Sequence, residues 1–182
     1  MPMSGDHVVS LVPVDDSNRD AVLALSVTSE QQRFVSSVAE SLEEAVREPG
    51  ARAISWAVCS GSTPVGFVMI GEDVGPDYVV HYLWKLLIDK RNQRRGYGTA
   101  ALDLVADHFR RRGVEVMWTS AGQGDGSPIP FYERYGFERT GDIVFENHVM
   151  LRLELTPGGS PKALPRRLLL EIAYTPGREQ PR

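Results

Sequence analysis

A polar loop that enters a helix through two glycines is the stretch of this chain best suited to chemistry. It reads Asp89-Lys90-Arg91-Asn92-Gln93-Arg94-Arg95-Gly96-Tyr97-Gly98-Thr99 and follows an apolar run that ends at Ile88. A helix start leaves four backbone N–H groups unpaired and carries roughly half a positive charge, so it attracts anions such as phosphates. Glycines at 96 and 98 let the backbone approach such a group with no Cβ in the way. The P-loop pattern G-x-x-x-x-G-K-[ST] is absent. The dinucleotide fingerprint G-x-G-x-x-[GA] matches formally at Gly96, Gly98 and Ala101, but seven polar residues separate its first glycine from the strand. Its ribose-binding acid should end the next strand, where Glu115 stands near a strand start instead.

Other side-chain chemistry is thin. The single cysteine, Cys59, excludes a disulfide framework and a cysteine-built zinc site, and its apolar surroundings predict a packed core residue. His7, His81, His108 and His148 form no i, i+4 pair, so no metal is expected. A net charge of -4 disfavours nucleic-acid binding. No apolar run approaches membrane-spanning length and the first residues lack a signal-peptide pattern, so the expectation is a cytoplasmic protein that does not bind membranes.

These groups must be held by something, and 182 residues with 42% apolar content suffice for one domain with a real core. Strands are expected over 7–14, 52–60, 65–70, 78–88, 114–119 and 143–155. Helices are expected over 19–26, 36–48, from Gly98 to Arg112, and 128–135. In the second helix Val38, Leu42, Ala45 and Val46 share a face. In the third, Ala101, Leu102, Val105, Ala106 and Phe109 do so, and Gly113 stops the helix after three arginines. The order predicts an α/β domain with a mixed sheet over residues 1–156. Pro157-Gly158-Gly159-Ser160-Pro161 reads as a linker to a C-terminal extension over 157–182, with one short apolar element from Leu164 to Tyr174. That apolar stretch is expected to pack on its own domain or a neighbour, and a homodimer is the expected assembly.

Gln93-Arg94-Arg95-Gly96-Tyr97-Gly98 resembles the [QR]-x-x-G-x-[GA] signature of the Gcn5-related N-acetyltransferases (GNAT). The resemblance spreads over about Val8 to Leu155. Leu86-Leu87-Ile88-Asp89 stands where the family has its central strand edge, and Phe131-Tyr132-Glu133-Arg134-Tyr135-Gly136-Phe137 looks like its F-Y-x-x-x-G-F segment. The resemblance implies a mostly antiparallel mixed sheet with helices on both faces and a splayed central strand pair. It also implies acetyl-CoA as donor. The pyrophosphate would lie on the backbone from Arg94 to Thr99, within a cofactor set of Gln93, Arg94, Arg95, Gly96, Tyr97, Gly98 and Thr99. Pantetheine would pair with Leu86, Leu87 and Ile88, with the Ile88 N–H on the acetyl carbonyl. Asp125, where many relatives have Asn, would contact pantetheine as an acceptor only.

By the same resemblance Tyr132 is the catalytic acid for the departing thiolate, for which a phenol near pKa 10 suits a thiol near about 8.5. The strand positions where relatives carry a base hold Tyr82 and Trp84, so the expected base is a carboxylate acting through water, Glu30 or Glu72, or else His81. Tyr82 and Trp84 are expected to line the acceptor pocket, where a cationic amine meets aromatic faces. Glu30-Gln31-Gln32-Arg33-Phe34-Val35 and the run Tyr82 to Asp89 look like the bacterial spermine/spermidine acetyltransferase branch, with Glu30 and Phe34 at the substrate. Glu40, Glu43 and Glu44 are alternative polyamine contacts, although helical spacing places them on the solvent face. The expected acceptor is thus a small primary amine, a polyamine or diamine. An antibiotic or other metabolite amine is the alternative acceptor, and a non-catalytic acetyl-CoA-binding module the alternative function.

Overall fold

Seven strands and four α-helices follow one another in the described residues, 8–156 and Pro165, of a computed structural model. The expectations for the first six residues and for the linker and extension over 157–182 lie outside the described residues, Pro165 apart. The strands are β1 (Val9–Pro13), β2 (Ile54–Ser60), β3 (Thr63–Val74), β4 (Val79–Ile88), β5 (Val116–Gly122), β6 (Glu138–Val144) and β7 (His148–Glu154). The helices are α1 (Arg19–Leu23), α2 (Val38–Arg47), α3 (Tyr97–Arg111) and α4 (Ile129–Tyr135). They form one mixed sheet of order β1-β2-β3-β4-β5-β7-β6, in which β4–β5 alone is parallel.

Alternation along the strands sends apolar side chains to both faces. Trp56, Val58, Val68, Ile70 and Leu83 meet Leu102, Val105 and Phe109 of α3 and Ile129 and Tyr132 of α4. Ala57, Cys59, Phe67, Met69 and Leu87 meet Val22 of α1 and Val38 of α2 on the other face. Cys59 is thus core, and burial pushes its thiol pKa up. Val46, expected on the buried face of α2, is 80% exposed, and the face turns toward Ser41 instead. Ser37 and Glu40 close a capping box at the start of α2, where Ser37 Oγ accepts from Glu40 N–H at 3.2 Å and Glu40 Oε2 accepts from Ser37 N–H at 2.8 Å.

Two irregularities shape the middle of the sheet. β4 pairs Met69 with Lys85 but Ile70 with Leu83, so Trp84 is an extra residue, a bulge that turns the next residues over. And β4 touches β5 only at His81↔Met117 and Tyr82↔Trp118, beyond which the strands diverge.

The C-terminal half of β4 is pressed onto β3 at Gly66. A Cβ there would stand 2.6 Å from the Leu87 carbonyl oxygen and 2.7 Å from Ile88 Cδ1. Gly66→Ala should therefore cost about 1–3 kcal/mol by forcing the strands apart. An unchanged urea midpoint would refute that.

The expected last strand, 143–155, is a hairpin, because Phe145 (φ 46°) and Glu146 (φ 63°) turn the chain with left-handed backbones.

Candidate functional site

The divergence of β4 and β5 opens a cavity of about 1080 Å³ that reaches both faces of the sheet. Its walls are the strand ends, Trp84 to Ile88 and Thr119 to Ala121. On one side stand the residues of α3 and α4, and on the other Phe34, Val35, Ser36 and Glu44.

At the α3 side the helix start is open. Gly96, with φ 83°, is the N-cap residue and no side chain caps the helix; the first intrahelical bond is Ala100 N–H to Gly96 C=O at 3.0 Å. The N–H groups of Tyr97, Gly98 and Thr99 therefore have no helical acceptor, an arrangement that attracts anions. A side chain at Gly98 would meet the Phe131 ring at 3.1 Å, so glycine is what lets α3 and α4 approach here.

The loop between β4 and α3 is pinned from below by Asp89, which is fully buried. Its carboxylate accepts from Ser26 N–H at 3.0 Å, from Arg91 N–H at 3.0 Å and from Arg91 Nε at 2.8 Å. Burial pushes the Asp89 carboxyl up, but these bonds and the Arg91 charge outweigh it and hold it below the usual carboxylate value. Gln93 Nε2 donates to Gln31 Oε1 at 2.7 Å and to Ile88 C=O at 3.0 Å, and Gln31 Nε2 donates back to Gln93 Oε1 at 3.3 Å. Gln93 lines the cavity, yet its amide is occupied in tying the loop to the strand end and to the 28–34 segment.

The strand edge is available. Asp89 N–H bonds back to Val65 C=O at 2.9 Å, so alternation aims the Ile88 N–H away from β3, into the gap. Tyr132 is 7% exposed and lines the cavity from α4. Burial pushes its phenol pKa well up, a hydrogen bond with Thr119 opposing, so the group keeps its proton at any physiological pH.

Of the residues expected from sequence, the cavity brings together Leu86, Leu87, Ile88, Gln93, Arg94, Gly96, Tyr97, Gly98, Thr99, Tyr132, Phe34 and Trp84. Four stand outside its lining. Arg95 is exposed beside the loop, and Glu30 is exposed on the surface. Asp125 is exposed too, its backbone carbonyl accepting from Arg33 Nη2, while Ser127 enters the wall instead. The Tyr82 ring folds over Gly71 and packs near Trp118, before the strands part.

The candidate bases are also elsewhere. Glu72 pairs with Arg52 at 3.2 Å and Arg112 at 3.3 Å, and His81 packs on Phe109 with its Nδ1 3.7 Å from Glu72. The opposite wall instead carries Ser36, Glu44, Lys85, Ser120 and His148, of which the sequence offered only Glu44, as an alternative polyamine contact. Glu44, expected on the solvent face of α2, bonds Lys85 Nζ at 2.9 Å, and Lys85 also donates to Ser36 Oγ at 3.1 Å. The bulge at Trp84 is what turns Lys85 toward α2. An S-x-x-E pattern at Ser37 could have fixed the start of α2 and so the direction of Glu44; nothing local could have placed His148.

Residues 10–137 match the family model described as "Acetyltransferase (GNAT) family". A spermine/spermidine N(1)-acetyltransferase of Bacillus subtilis is 26% identical over 161 residues, 81% of this chain and 99% of that protein. An S-(2-succino)cysteine N-acetyltransferase of the same organism is 32% identical over 74 residues, 40% of this chain and 44% of that protein. Among solved structures, a PaiA N-acetyltransferase from Thermoplasma acidophilum in complex with coenzyme A aligns with TM-score 0.60 at 11% identity, over 81% of this chain and 99% of that one.

Proposed function

The chain belongs to the acetyltransferase (GNAT) family, and from that premise we propose that it moves an acetyl group directly from acetyl-CoA to a primary amine of a small molecule. One observation carries the reading: the cavity runs through the parted strands from an uncapped helix start to Tyr132. The wall fits the donor. Three N–H groups at Tyr97, Gly98 and Thr99 suit a diphosphate, and the unpaired edge of β4 suits an amide-bearing arm that adds to it like a strand. Acetyl-CoA supplies an acetyl group already activated as a thioester.

The chain's own residues do the rest. The Ile88 N–H holds the carbonyl oxygen in the gap, where negative charge develops during transfer; one such donor is worth roughly 3 kcal/mol. Tyr132 holds a proton for the departing sulfur, and its burial keeps that proton in place until a thiolate needs it. Leu86, Leu87 and Phe131 on the wall exclude water that would compete with the amine.

For the acceptor we favour a polyamine or diamine. The wall carries the carboxylate of Glu48 beside the Lys85-paired Glu44, Trp84 and Phe34 offer aromatic faces, and a relative matched over nearly its whole length is a spermine/spermidine N(1)-acetyltransferase. Lys85 and Arg47 on the same wall favour a second reading, an amine that also bears a carboxylate. CoA release measured with spermidine, putrescine, an aminoglycoside and S-(2-succino)cysteine separates the two. Spermidine or putrescine should give the highest kcat/KM. A preference for the carboxylate-bearing amine would replace the polyamine reading, and acetyl-CoA binding with no turnover on any amine would leave a cofactor-binding module.

A further inference from the structure

The acceptor arrives as an ammonium ion and must lose a proton before its nitrogen can attack, so acetyl transfer requires a base on the acceptor side of the gap. We propose that His148 is that general base, positioned by Ser120, Phe34 and Phe145. The inference rests on the proposed acetyl transfer and concerns the same cavity.

The placement comes from the sheet. His148 opens β7 and is paired with Gly122 of β5. Its Nδ1 lies 3.5 Å from Ser120 Oγ. Because residue 122 has no side chain, the ring edge and Phe34 converge above it: a Cβ there would stand 3.5 Å from His148 Nε2 and 3.4 Å from Phe34 Cδ1. Phe145 packs edge-on against the imidazole, with centroids 5.8 Å apart at 81°. The ring is therefore held on several sides and still lines the cavity.

Strand alternation then decides the mechanism. Thr119 and Ser120 are consecutive on β5, so their side chains leave opposite faces of the sheet. Thr119 shares a hydrogen bond with Tyr132 on the α4 face, and Ser120 touches His148 on the other. Acid and base thus flank the gap from its two sides, as a reaction needs when amine enters from one side and sulfur leaves on the other.

The proton account closes. An ammonium loses two protons in becoming an amide nitrogen. One passes to a ring nitrogen of His148 and then to solvent. As the new C–N bond forms and the C–S bond breaks, the sulfur takes the Tyr132 phenol proton, and the second nitrogen proton replaces it.

A base must be uncharged before the amine binds, and the surroundings favour that. Facing His148 are Lys85 from β4, with Glu44 of α2 bonded to it at 2.9 Å, Ser120 from β5, Phe34 from the preceding loop and Phe145 from the β6–β7 turn. Burial first, and the Lys85 charge second, push the imidazole pKa below its ordinary value. A lowered pKa leaves the ring neutral at neutral pH, and activity should fall only as acid charges it. Glu44, a carboxylate on this wall, is occupied by Lys85 and by Ser36 Oγ at 3.3 Å.

The test is His148→Gln, which keeps a hydrogen-bonding side chain of similar reach but cannot take up the proton. Its kcat/KM at neutral pH should fall by about 100-fold with acetyl-CoA affinity unchanged. The acidic limb of the wild-type profile should match the His148 titration followed by imidazole NMR, and should vanish in the variant. Added imidazole should restore activity to His148→Ala. A His148→Gln enzyme within a factor of about three of wild type, or one that keeps the limb, overturns the proposal. A wild-type enzyme that acetylates none of the amines sinks the acetyl-transfer reading instead. In that case the NMR titration still judges His148, since a ring charged at neutral pH cannot serve as base.

Discussion

Tyr132→Phe should lower kcat by about 100- to 1000-fold while leaving acetyl-CoA affinity unchanged. The side chain keeps its aromatic packing against Phe131 and Phe137, with ring centroids 5.3 and 5.4 Å away, so the cavity keeps its shape. What is lost is the hydroxyl and its hydrogen bond with Thr119, which costs about 1 kcal/mol of stability. The sign of the pH effect follows from burial. A phenol whose pKa is pushed up stays protonated as pH rises, so the wild-type rate should not fall through the ordinary tyrosine range. Steady-state kinetics with isothermal titration of acetyl-CoA decides it. A variant that retains a third or more of the activity would show that solvent supplies the proton.

The second large effect belongs to Asp89→Ala. The exposed Arg91 charge simply returns to water, but the Ser26 and Arg91 N–H groups lose a buried acceptor. Removing it should cost about 2–4 kcal/mol at neutral pH and raise the acetyl-CoA Kd by about tenfold as the glycine loop loosens. The folded carboxyl is held below its unfolded value, so its contribution is complete above the ordinary carboxylate pKa. It disappears as pH falls through the lower, folded value, and the gap between variant and wild type should narrow there. Urea midpoints across that range are the measurement. Equal midpoints at neutral pH would mean the loop is held by other bonds.

Much of this architecture could be read from residue types alone. Helix α3 was legible because five apolar residues from Ala101 to Phe109 repeat at helical spacing and Gly113 ends the run. The glycine loop, the edge at Leu86 to Ile88 and Tyr132 were legible because each belongs to a local pattern, and all line one cavity. The acceptor wall was not, for three physical reasons. Plain alternation through β4 places Tyr82, Trp84, Leu86 and Ile88 on one face. The bulge at Trp84 instead directs Lys85 and Leu87 to the α2 side and the Ile88 side chain toward α3. The turn at Phe145 and Glu146 has left-handed backbones without glycine, so the last two strands read as one and His148 was hidden inside it. And Glu44, placed by helical spacing on the solvent face, lines the wall, where Lys85 from a distant strand pairs with it, a contact no helical wheel contains.

The reciprocal Gln31–Gln93 contact joins the glycine loop to the segment that carries Phe34. Both partners are uncharged amides that do not titrate, and the Lys85–Glu44 pair across the chamber is shielded from solvent, its side chains only 12% and 20% exposed. Moderate changes of salt should therefore leave both the wall and the alignment of the two halves of the reaction chamber in place.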